Sequence, residues 1–111
     1  MPPYRTPEKL IQNAILREFG TRSDMRVWRM NTGAANYSGT RVSFGVPGQA
    51  DISGILPDGR RLEIEVKSAT GRQSADQENY QRMIERFNGL YVLARSVQDV
   101  HAALRAAGYP A

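Results

Sequence analysis

Pro47-Gly48-Gln49-Ala50-Asp51 through Glu63-Ile64-Glu65-Val66-Lys67 is the stretch on which the fold turns. Between Asp51 and Glu65 it reads as a β-hairpin. Ile52, Ile55 and Leu56 are apolar and partly β-branched. Pro57-Asp58-Gly59 is turn chemistry: proline presets φ, aspartate bonds its own backbone, and glycine takes positive φ. Leu62-Glu63-Ile64-Glu65-Val66-Lys67 then alternates apolar and charged with period two. Leu62, Ile64 and Val66 therefore share one face of that strand, and Glu63, Glu65 and Lys67 the other.

Such a hairpin brings the start of its first strand beside the end of its second, and so Asp51 near Glu65 and Lys67. Converging carboxylates repel, and each pKa rises. A hard divalent cation removes that cost, and oxygen ligands of this kind suit magnesium or manganese. An ammonium beside them can orient or activate a water, so the trio fits metal-assisted phosphodiester hydrolysis. The same alternation also fits a half-exposed strand whose Glu/Lys face is merely solvated. Composition bears on the choice. The basic residues comprise thirteen Arg and two Lys, one of them Lys67. A face that needed only positive charge would more readily have drawn arginine. Glu63, on the charged side, reads as solvated or as a partner of the ligands rather than as a ligand.

The 111 residues suit one domain, 1–111, with a core large enough to fold alone. With no cysteine and a single histidine, thiolate and His-rich zinc sites are excluded, so any metal is held by oxygen. No apolar run approaches a membrane span, and Met1-Pro2-Pro3-Tyr4-Arg5 has no signal-peptide core, so an intracellular location is expected and no membrane partner. The formal charge of +4 favours a polyanionic partner.

Thr6-Pro7 opens a first helix, with Leu10, Ile11, Ala14, Ile15 and Phe19 as its apolar stripe and Gly20 as its stop. Glu8 sits in the first turn, where the helix dipole favours a carboxylate. Arg26 to Met30 reads as a strand, residues 31–40 as a polar loop, and Arg41 to Phe44 as a short strand. Arg29, Asn31 and Arg41 around that loop are candidates to grip phosphates, alongside a flexible-connector reading of the same stretch. Arg72, in the turn after the hairpin, is a further candidate. Ser74 to Gln77 is a capping box that opens a helix with Tyr80, Met83, Ile84 and Phe87 as its buried stripe. Tyr80 reads as core. Leu90 to Ala94 is a buried strand. Ser96 caps a last helix bearing Val97, Val100 and Leu104, which are either core or an exposed dimer face. His101 on that helix reads as a surface or packing residue. The order is αβββαβα, an α/β chain with a mixed central sheet flanked by helices.

Asp51, thirteen residues, then Glu65-Val66-Lys67 resembles the D…ExK signature of the PD-(D/E)XK nuclease superfamily, with its restriction-endonuclease-like fold. Phe44 to Ile52, Glu65 to Ser68 and Gly71 to Gln77 together resemble the virus-type replication-repair nuclease domain, VRR-NUC, over about Thr6 to Leu104. In the superfamily the proline commonly stands directly before the aspartate, whereas Gly48, Gln49 and Ala50 intervene here. The resemblance implies a Mg2+- or Mn2+-dependent DNA endonuclease. It implies Asp51, Glu65, Glu8 and the Val66 carbonyl as metal ligands, Lys67 on the attacking water, and Gln77 near that water. It further implies a compact phage or prophage enzyme, working in the host cytoplasm as a homodimer on branched DNA such as four-way (Holliday) junctions. A non-catalytic nucleic-acid-binding module on the same fold, an RNA nuclease, and a structural protein with a solvated Glu/Lys face stand as alternatives.

Overall fold

A computed structural model describes residues 6–30, 33–37 and 40–110, with backbone only for 33–37 and 40–44. Its elements are α1 (Pro7–Gly20), β1 (Arg26–Arg29), β2 (Gly33–Tyr37), β3 (Thr40–Phe44), β4 (Ile52–Ile55), β5 (Arg61–Val66), α2 (Ala75–Arg86), β6 (Leu90–Ala94) and α3 (Val97–Ala106). Four strands form one mixed sheet in the order β1-β4-β5-β6. β1 and β4 pair antiparallel, β4 and β5 form the expected hairpin, and β5 and β6 run parallel with α2 as their crossover. Parallel neighbours need such a connection, and the capping box supplies its start.

The expected order counts three strands before the second helix, and the structure has five, β2 and the short β3 being the additions. β2 and β3 pair in a separate two-stranded hairpin, Gly33 opposite Phe44 and Tyr37 opposite Thr40. The stretch expected as a loop is thus partly strand. Its small, polar residues carry little β-propensity, and backbone pairing with β3 outweighs that.

The local signals act as chemistry demands. Thr6 Oγ1 accepts from the Lys9 amide at 3.3 Å, with Pro7 at the first position of α1. Gly20 is the last residue of α1 rather than its stop, and Thr21 closes the helix. At the hairpin tip the Arg60 amide donates to Asp58 Oδ1 at 3.2 Å, and Gly59 takes φ +88°.

The two faces of the sheet are covered differently. Leu62, Ile64 and Val66, all fully buried, face α1 and α3 and pack with Ile15, Phe19, Val100 and Leu104. Val100 and Leu104 are therefore core, which removes them as a dimer face. His101 lies beside this layer, its ring 4.7 Å from that of Phe19 and its Nε2 2.8 Å from Glu18 Oε2. α2 covers the opposite face, where Tyr80 and Ile84 meet Ala50 and Tyr91.

Three apolar positions expected in buried stripes are exposed. Leu10 is 54% exposed, Met83 38% and Phe87 75%. Helical periodicity marks a stripe, but the sheet covers only the part of it that lies in its shadow. No described helix is long and apolar enough to cross a membrane.

Candidate active site

The face of β5 that bears Glu63, Glu65 and Lys67 lies under α2, and this changes what those charges are. Asp51 stands immediately before β4. The register of Ile52 with Ile64 sets it across from the end of β5. Its carboxylate accepts from the Val66 amide, N to Oδ2 2.8 Å, and its own carbonyl accepts from the Met30 amide at 2.9 Å. Asp51 is thus held by the backbone of both strands beside it.

Glu65 is 3% exposed. Its Oε2 accepts from Gln77 Nε2 at 2.9 Å and lies 3.7 Å from Lys67 Nζ. Its Oε1 is buried and has no hydrogen-bond partner among the described residues. A buried carboxylate oxygen without a donor is costly. Burial pushes the Glu65 pKa up to about 8; the Asp51 charge adds to that, Lys67 opposes it, and Glu8 contributes weakly. The Asp51 and Glu65 carboxylates therefore interact unfavourably while both are charged.

Gln77 is bonded at both ends of its amide. Its Oε1 accepts from the Ser74 amide at 2.8 Å, completing the capping box, while its Nε2 holds Glu65. The two ends of one amide perform the two roles. What brings them into register is Gly48. With φ +76°, it lies so close to the start of α2 that a Cβ there would sit 2.1 Å from the Asp76 carbonyl oxygen. Only glycine allows the loop before Asp51 and the helix bearing Gln77 to touch.

Glu8 reaches the same region from α1. A methyl group at Gly71 would lie 3.5 Å from Glu8 Oε1 and 3.4 Å from Lys67 Cδ. The described residues nevertheless include no group of three acidic, histidine or cysteine side chains gathered to hold a metal. What they contain is a pair, Asp51 and Glu65. That pair fits a hard cation: two carboxylates, one buried and short of a partner, with a raised pKa that a bound cation would lower again.

Glu63 departs from expectation. It is neither solvated nor near solvent, being fully buried. Tyr80 Oη donates to Glu63 Oε1 in a short bond, and Arg61 Nε donates to Oε2 at 3.0 Å. Arg61 also reaches Ser53 Oγ at 3.4 Å and sits 6.0 Å from the centre of the Trp28 ring. Tyr80 is thus core by burial but polar in its work, and burial together with Glu63 raises its pKa well above the usual tyrosine range. No local signal marked Glu63 for burial. The polar but regularly placed Tyr80 on α2 was the available hint.

Of the expected phosphate-gripping residues, Arg29 is exposed and donates to Asn13 Oδ1 in a short bond. Arg72 is exposed. Asn31 and the side chain of Arg41 lie outside the described residues.

A structure described as a VRR_NUC domain matches with a TM-score of 0.64 at 22% identity, over 94% of this chain and 99% of that one. The fold is that of a VRR_NUC domain. That likeness covers the mixed sheet with its flanking helices. No protein-family model matches the sequence, and neither does any curated protein.

Proposed function

We propose that the chain is a divalent-metal-dependent, structure-selective DNA endonuclease that hydrolyses phosphodiester bonds, with branched DNA such as four-way junctions as its substrate. One observation carries the reading: Glu65 is buried beside Asp51 with an oxygen that no group among the described residues satisfies. A structural carboxylate in that position would have acquired a donor, as Glu63 has.

Asp51 and Glu65 would hold the cation, Mg2+ or Mn2+, with Glu8 and the Val66 carbonyl completing its protein ligands. When bound, the ion supplies a Lewis acid that polarises the phosphate and offsets its developing charge. The remaining work belongs to the chain. The Val66 amide fixes the Asp51 carboxylate, and Gln77 fixes one Glu65 oxygen and leaves the other open. Lys67, at the rim of the pair, orients the attacking water or takes its proton. The +4 charge favours a polyanionic substrate. A chain this short has little surface for reading bases, so selectivity for DNA shape is the better fit. A two-fold dimer would present two sites to two symmetric strands.

The test is cleavage of a labelled four-way junction beside linear duplex, single-stranded DNA and RNA, each with Mn2+, Mg2+ or EDTA. We expect metal-dependent cutting of the junction, reduced by about 10²–10⁴-fold in K67A, with DNA binding retained. If K67A cuts like the wild type, the assigned mechanism is wrong. Tight binding without cutting of any substrate would favour the non-catalytic binding module. Light scattering should show a dimer, and a strict monomer that resolves junctions would contradict that part of the proposal.

A further inference from the structure

Beside the acidic pair lies a cleft of about 450 Å³ lined by Ala69, Thr70, Gly71, Arg72 and Arg95. None of its five lining residues is acidic. Arg95 follows β6 directly, and the parallel pairing of Val66 with Ala94 sets it next to the end of β5. Its Nη1 donates to the Ser68 carbonyl in a short bond and to the Gly71 carbonyl at 2.9 Å, which pins the turn after β5 around the guanidinium. Its Nε and Nη2 have no acceptor among the described residues. Asp99, on the helix that follows, accepts through Oδ2 from the Arg95 amide at 2.8 Å.

Arg72 likewise has no carboxylate partner among the described residues. Arg22, Arg61 and Arg60 have Asp24, Glu63 and the Asn88 carbonyl as acceptors, whereas Arg72 shares its lack of one among the described residues with several exposed arginines and differs from them in lining a cleft with a second guanidinium. Two guanidinium groups facing one cleft repel each other unless an anion joins them, and planar forks of donors suit phosphate oxygens. The Thr70 hydroxyl and the small residues around it leave room for a phosphate to approach backbone. Gly71 forms a wall common to this cleft and to the catalytic end, since it lies against both Lys67 and Glu8.

We infer that the Arg72–Arg95 cleft is a subsite for a backbone phosphate of the bound nucleic-acid strand, flanking the phosphate at Asp51 and Glu65. This rests on the nuclease reading for its substrate, but not for its test. Binding of a fluorescein-labelled DNA duplex is measured by anisotropy in EDTA across a series of KCl concentrations, so that no cleavage enters. R72E should weaken binding by about 10-fold or more at low salt. R72A should lower the salt slope by about one, as loss of a single phosphate contact requires. R95K keeps a charge but loses the fork, and should also bind more weakly.

A scan of single methylphosphonates along one strand then locates the contact. At one position the neutral linkage should weaken wild-type binding while costing R72A nothing further. Arg72 is exposed, so R72A and R72E should melt like the wild type, and they decide the matter even if R95K folds poorly. Wild-type affinity and salt slope in R72E, or strict additivity at every position of the scan, would overturn the subsite. A wild type that cuts nothing but shows the R72A coupling would sink the nuclease reading and leave the subsite standing.

Discussion

Glu63 and Glu65 stand two residues apart on one face of one strand, both under α2 and both out of solvent, yet their surroundings are opposite. Glu63 has both oxygens engaged, by the Tyr80 hydroxyl and by Arg61. Glu65 has one oxygen on Gln77 and one without a partner among the described residues, with another carboxylate alongside. Identical chemistry, sequence spacing and burial give a structural anchor in one place and a frustrated group in the other. The difference comes from what the covering elements present. α2 turns Tyr80 to the first, whereas the loop at Asp51 brings negative charge to the second. Local cost of this kind is what a binding site for a cation leaves behind when judged on protein atoms alone.

That contrast can be broken from either end. Glu63→Ala removes a buried carboxylate, leaving the Tyr80 hydroxyl without its acceptor and the exposed Arg61 without its ion partner. Loss of about 2–4 kcal/mol is expected in urea unfolding, from the lost bonds and the space left behind. A loss below 1 kcal/mol would mean that Glu63 is no anchor. Gly48→Ala acts on the machinery that keeps the two environments apart. Its Cβ would meet the Asp76 carbonyl at 2.1 Å at a positive φ. We expect about 2–3 kcal/mol lost and Gln77 drawn away from Glu65. Unchanged melting would mean that loop and helix do not touch as described.

Glu65→Gln should have the opposite sign to Glu63→Ala. The Glu65 pKa is raised from 4.5 to about 8 in the folded protein. Between those values the folded state binds the proton that the unfolded state has released. Wild-type stability in EDTA should therefore fall as pH rises from about 4.5 through about 8. Glutamine removes that dependence. Once its lost attraction to Lys67 is subtracted, it should gain about 1–3 kcal/mol at pH 8.5 and little at pH 5. A flat wild-type profile over that range would refute the raised pKa.

The smallest effect belongs to Gln77→Ala, about 0.5–1.5 kcal/mol, from the loss of its bonds to Ser74 and Glu65. If the pH-dependent fall in stability then extends to no higher pH than in the wild type, Gln77 does not hold Glu65.

Much of this was legible beforehand, and the particular residues show why. Alternation from Leu62 to Lys67 and the Pro57-Asp58-Gly59 turn report strand and hairpin directly, because both are rules of neighbouring residues. Thr6-Pro7 and the Ser74–Gln77 capping box likewise mark the starts of α1 and α2. The strand β2 was not legible, because Gly33-Ala34-Ala35-Asn36-Tyr37 lacks β-branched residues and is a strand by pairing alone. Leu10, Met83 and Phe87 follow helical spacing but lie beyond the edge of what the sheet covers.

The amino-acid sequence determined the hairpin, the face on which its charges gather, and the meeting of Asp51 with the end of β5, since turn chemistry and a period of two are local. Tertiary structure decided that Glu63 is buried, that one Gln77 amide both caps α2 and holds Glu65, and that Arg95 and Arg72 line one cleft. Each of these depends on α2 crossing over the sheet and on β6 pairing parallel to β5. Those contacts join residues far apart in the chain, and no neighbouring residue encodes them.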